Sequence, residues 1–130
     1  MVAYSFAARF AEAVEAGTKR QTIRAIRARH ARPGEPVQLY VAQRSKLCRK
    51  LVDPDPVCTF VSKIEIDITR DPKTGAHLIE GIRINGHPVD ESDVAWADGF
   101  DTVEDMAAWW AETHGAGTFT GVLIEWAPAT

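Results

Sequence analysis

Lys19, Thr22 and Arg24 follow Gly17 at spacings that can turn an ammonium, a hydroxyl and a guanidinium toward one anionic or carbonyl-bearing ligand. An ordinary basic loop accounts for the same residues. A phosphate-binding P-loop does not, because no second glycine precedes a Lys-Ser or Lys-Thr pair. If the set is catalytic, Thr22 is the nucleophile, and a threonine hydroxyl at neutral pH needs an adjacent base. Lys19 can serve only if burial or another cation lowers its pKa toward about 7; Arg20 and Arg24 both disfavour its charged form and a nearby Asp98 would favour it, so the sequence does not set the net direction. If the set only binds, Lys19 and Arg24 hold a phosphate or a base edge, and Thr22 is a neutral hydrogen-bonding partner.

More cations stand further on. Arg44, Lys46, Arg49 and Lys50 crowd a stretch flanked by Tyr40, and cations beside an aromatic ring suit a single-stranded backbone with a stacked base. A solvated loop is the plainer account. Trp110 and Trp126 fall on apolar faces and are expected in the core, Trp109 is expected to be partly exposed, and Trp96 is a candidate ligand wall. His30, His77, His87 and His114 lack metal-ligand spacing, so neither a metal nor another cofactor is expected. His30, inside the basic stretch, keeps open a ribonuclease whose catalytic residues are not identified. Cys48 and Cys58 are too few for a disulfide scaffold and are expected as reduced, mostly structural thiols.

With 130 residues, 45% hydrophobic and 25% charged, the chain has the size and balance of one soluble domain over 1–130. No run of about 18 apolar residues is present to cross a membrane. The first fifteen residues have neither the order of a secretory signal nor the acid-free character of a transit peptide, so a cytoplasmic setting is expected. The net charge of −3 hides a division. Residues 1–50 hold eleven Lys and Arg against three acids, a balance of +8, which leaves −11 on the other eighty. One basic and one acidic surface follow, and the basic one concentrates anions such as nucleic acid. The alternative is two solvated faces that pair across the fold.

The elements that must position these residues are read from periodicity. Phe6, Phe10 and Val14 predict a helix over 5–16, capped by Ser5 and ended by Gly17. Periodicity does not decide between helix and loop for 17–32. Pro33-Gly34 turns the chain into a strand through Val37, Leu39 and Val41, and 43–56 reads as an exposed basic loop. Cys58, Phe60, Ser62, Ile64, Ile66 and Ile68 predict the inner face of a strand, which Asp71 to Gly75 turns back into a partner near 77–84, ended by Asn85-Gly86. Asp90 and Asp101 resemble helix caps, the second opening a helix near 102–114 stopped by Gly115, and 117–126 is a closing strand. The sum is an α+β domain on a small, mostly antiparallel sheet or barrel.

Gly17-x-Lys19-x-x-Thr22-Ile23-Arg24, then Pro33-Gly34-Glu35-Pro36-Val37 entering a strand, then Asp98-Gly99-Phe100 before a helix and an aromatic closing strand, resemble the ASCH family over nearly the whole chain. The resemblance implies a small PUA-like mixed β-barrel with flanking helices, and a cleft lined by 19–24 that receives RNA or a nucleobase. One bacterial branch hydrolyses acylated cytidine nucleosides with a Lys, a Thr and a Glu. These fall on Lys19, Thr22 and, with one residue of play, Asp98, which is shorter by a methylene. The resemblance thus implies Lys19, Thr22 and Asp98 as catalytic residues. The residues expected to bind nucleic acid or ligand are Lys19, Arg20, Thr22, Arg24, Arg44, Lys46, Arg49 and Trp96. Binding of RNA or a modified nucleobase is the expected function, with the amidohydrolase as alternative and ribonuclease as a further one. The expected partner is RNA or a nucleoside and not a membrane; the sequence does not set the oligomeric state.

Overall fold

The computed structural model describes residues 2–43 and 45–128. In chain order they form β1 (Val2–Phe6), α1 (Ala8–Ala16), β2 (Gln21–Ala25), β3 (Val37–Val41), β4 (Arg49–Lys50), β5 (Cys58–Arg70), β6 (His77–Ile84), β7 (His87–Val89), α2 (Glu91–Ala97), α3 (Val103–His114) and β8 (Gly117–Trp126). This is a mixed α+β fold with two sheets, ordered β1-β3-β4 and β2-β8-β5-β6-β7, whose pairings are mostly antiparallel. No closed barrel is found among the described residues. None of their helices is long and apolar enough to cross a membrane. The residues group into two compact units, one of Met1–Thr22, Arg27–Val61 and Leu123–Thr130, the other of Ile23–Ile26 and Ser62–Val122.

In the first unit β1 and β3 pair in parallel, Val2 opposite Val37 through Phe6 opposite Val41. Val2, Tyr4 and Phe6 alternate inward, as do Val37, Leu39 and Val41, because successive side chains of a strand point to opposite faces. The helix expected from Ser5 therefore starts three residues later. Phe6 belongs to both patterns, closing a period of two and opening a period of about four, and the strand takes it. Ser5 lies in β1, where its Oγ accepts the Gln43 N–H at 3.2 Å. α1 starts after Ala7 without a side-chain cap and packs Phe10, Ala11 and Val14 inward on β1 and β3. Gly17, at φ 80°, ends it as expected. The expected loop at 43–56 contains the short β4, and Leu51 beyond it is buried.

The second unit is organised by the β5–β6 hairpin, in register from Ile64 opposite Ile84 to Arg70 opposite His77, with a bulge at Asp67/Ile68. Asn85 and Gly86, both at positive φ, turn β6 into β7, as an Asn-Gly pair does in a tight hairpin. Ile64, Ile66, Ile68 and Ile82 are buried, as are Met106, Ala107 and Trp110 of α3, which packs on β6. Each such large apolar side chain contributes about 1.5–3 kcal/mol by leaving water.

Two further expectations are corrected. Phe60 is 65% exposed and not on the inner face: β5 serves the first unit up to Val61 and the second from Ser62, so a single alternation does not describe one buried face. The cap of α3 is Thr102, which accepts the Asp105 N–H at 3.0 Å, one residue beyond Asp101.

Candidate functional site

Gly17 makes the first part of the site possible. Its left-handed backbone reverses the chain at the end of α1, and the amides of Thr18 and Lys19 then both donate to the Ala13 carbonyl at 3.0 Å. This double bond to one acceptor fixes where Lys19 leaves the helix. Its side chain turns inward and is 3% exposed, with Nζ 5.0 Å from the Phe10 ring centre and 5.7 Å from that of Phe6. An ammonium taken from water needs compensation, and the negative faces of two rings supply part of it. Arg9 also lies over Phe10, at 5.1 Å.

β2 begins two residues later. Gln21 and Thr22 are buried, the latter 3% exposed, whereas Arg20 is exposed and its carbonyl accepts the Trp126 N–H at 3.1 Å. Arg24, half-buried, lies in the second unit, where its carbonyl sits against Gly121; a Cβ there would come within 2.4 Å of that oxygen.

The Asp98-Gly99-Phe100 element has a local explanation of its own. Asp98 ends α2 with its N–H on the Val94 carbonyl at 2.9 Å, Gly99 takes φ 96°, and the buried Phe100 returns its N–H to Ala95 at 2.9 Å. The Asp98 side chain is 5% exposed. Trp96, two residues earlier on the same short helix, is 66% exposed.

Among the described residues four polar or charged side chains are buried: Lys19, Gln21, Thr22 and Asp98. Three of these are the expected catalytic positions. Burial of ionisable groups is costly unless they are paired or have a task. Lys19 and Thr22 share the first unit, and Asp98 and Arg24 belong to the second.

The second basic cluster disperses. Arg44 lies outside the described residues. Lys46 is exposed, Arg49 is 2.8 Å from Glu15, and Lys50 is 2.6 Å from Asp55. The Glu15 pair draws its carboxyl below the ordinary carboxylate range, chiefly by the hydrogen bond from Arg49. His30 Nδ1 and the Tyr4 hydroxyl share a hydrogen bond at 3.0 Å, and that hydroxyl accepts the Ala31 N–H at 3.1 Å. The charge division survives folding: the first unit holds ten basic and six acidic residues, net +4, and the second five and twelve, net −7.

Sequence reasoning did not single out Gln21, nor Phe6 and Phe10 as the rings facing an ammonium. The two phenylalanines carried a signal only as core positions. Among the described residues, no cluster of three or more His, Cys, Asp or Glu side chains could hold a metal ion. Compared with protein-family models, curated proteins and solved structures, the chain matches none.

Proposed function

We propose that the chain is an ASCH-type domain, with a PUA-like barrel and a cytoplasmic setting, that binds a nucleobase of RNA or of a free nucleoside through Lys19 and Thr22. One observation carries this reading: both side chains are 3% exposed. An ammonium so enclosed is poorly placed for a phosphate chain running over the surface, and suits instead the carbonyl or ring nitrogen of a base inserted edge-on. Phosphates would fall to exposed cations of the net-positive unit such as Arg20, Arg27, Arg32 and Lys46.

The burial of Lys19 and Thr22, which share the first unit, also fits a second reading, hydrolysis of an acylated cytidine. There Thr22 Oγ1 would attack the amide carbonyl as Lys19, in its neutral amine form, takes its proton and passes it to the departing amine. Water would then release the acyl group from Thr22.

Calorimetric titration with cytidine, 4-N-acetylcytidine and a short single-stranded RNA tests the binding reading. Affinity for the nucleosides is expected to fall about tenfold or more in Lys19→Met and in Thr22→Val, the cost of losing hydrogen bonds to a charged and a neutral donor. If none of the three ligands binds at millimolar concentration, the reading is wrong. Cytidine released from the acetylated nucleoside, and lost in Lys19→Ala and Thr22→Ala, selects the hydrolase.

A further inference from the structure

The end of α1 borders a hollow of about 160 Å³ that lies wholly within the first unit. Val14, Val52, Pro56 and Trp126 give it apolar walls, and two charged residues, Glu15 and Arg20, also line it. Glu15 is already neutralised by Arg49 at 2.8 Å. Arg20 has no carboxylate partner among the described residues. Backbone bonds hold the walls in place: Trp126 N–H to the Arg20 carbonyl, and Ala127 N–H to the Val57 carbonyl at 2.9 Å.

We infer that this hollow is a binding site for a small monocarboxylate with a flat apolar body. A guanidinium offers two parallel N–H donors that match the two oxygens of a carboxylate. The volume resembles that of a cavity of about 150 Å³ that accepts a benzene ring. Two features oppose a phosphate dianion. A single unpaired cation lines the hollow, and the C-terminal pole of α1, which carries partial negative charge, borders it. The inference does not rest on the nucleobase reading, because neither Lys19 nor Thr22 lines this hollow; the two share only Arg20, one of several exposed cations there proposed for phosphates.

The test is a titration of the ¹⁵N-labelled full chain with sodium benzoate at constant ionic strength, followed by NMR. Benzamide serves as the neutral isostere and inorganic phosphate as the competing anion. Benzoate is expected to shift the Gly17 and Ala127 amides and the Trp126 indole saturably. Benzamide, and benzoate against Arg20→Gln, are expected to bind about tenfold more weakly or worse, the loss of a charged hydrogen bond. Arg20 is exposed, and unchanged amide positions away from the hollow check that the variant folds; the benzamide comparison needs no variant. An equal response to benzamide overturns the inference by reducing the site to an apolar hollow. Phosphate binding as tightly as benzoate, or shifts that never saturate, overturn it as well.

Discussion

The Lys19 ammonium lies 5.0 Å from the centre of the Phe10 ring, in a side chain that is almost wholly buried. A ring at that distance attracts the cation by about 0.5–2 kcal/mol, more as water is excluded. A double-mutant cycle of Lys19→Met and Phe10→Leu, read by urea denaturation, is expected to give a coupling of about that size. Coupling near zero would mean that Phe10 is only an apolar neighbour.

Gly121 is required by the carbonyl of Arg24 and the ring of Phe119, which a Cβ would approach to 2.4 and 2.6 Å. Both obstacles belong to packed structure, so Gly121→Ala is expected to destabilise by about 1–3 kcal/mol. A urea midpoint equal to that of the parent would show that β8 does not lie so close to β2.

Thr102, and not Asp101, satisfies a free N–H of the first turn of α3. Thr102→Ala is expected to cost about 1 kcal/mol, and Asp101→Ala less than about half of that. Thermal melts of the two variants settle the matter; the reverse order would move the cap back one residue.

Glu35 accepts both guanidinium nitrogens of Arg29 and the Arg32 N–H, and its pKa falls from 4.5 to about 2, mainly through the Arg29 hydrogen bond. The folded value lies below the unfolded one. The stabilisation is therefore fully present above 4.5 and is lost as pH falls toward about 2. Denaturant midpoints measured across that window are expected to drop less steeply in Glu35→Gln than in the parent. Parallel curves would mean that the pair does not persist in solution.

Much of this fold is local and could be read along the chain. Val37 to Val41 and Ile64 to Ile68 alternate, Met106 to Trp110 recur at helical spacing, and Gly17, Gly115 and Asn85-Gly86 sit where the backbone has to take positive φ. Such features depend on side-chain direction within one element, which a few neighbouring residues determine. The motif from Gly17 to Arg24 was legible in the same way as a set of residue types.

Tertiary structure decided the rest, because it concerns residues far apart in sequence. Phe6 could close a strand or open a helix, and pairing with Val41 across β3 selected the strand. Arg49 resembled a free cation for nucleic acid until Glu15, 34 residues earlier, was placed beside it. Lys19 and Arg20 are adjacent and equally basic in sequence, yet one is buried against two rings and the other lines a hollow. That difference arises because Gly17 reverses the chain and Ala13 then holds the next two amides. The sequence by itself supplied the chemical groups and their local geometry; the distant neighbours and the water excluded with them, which only folding brings, set what each charge can do.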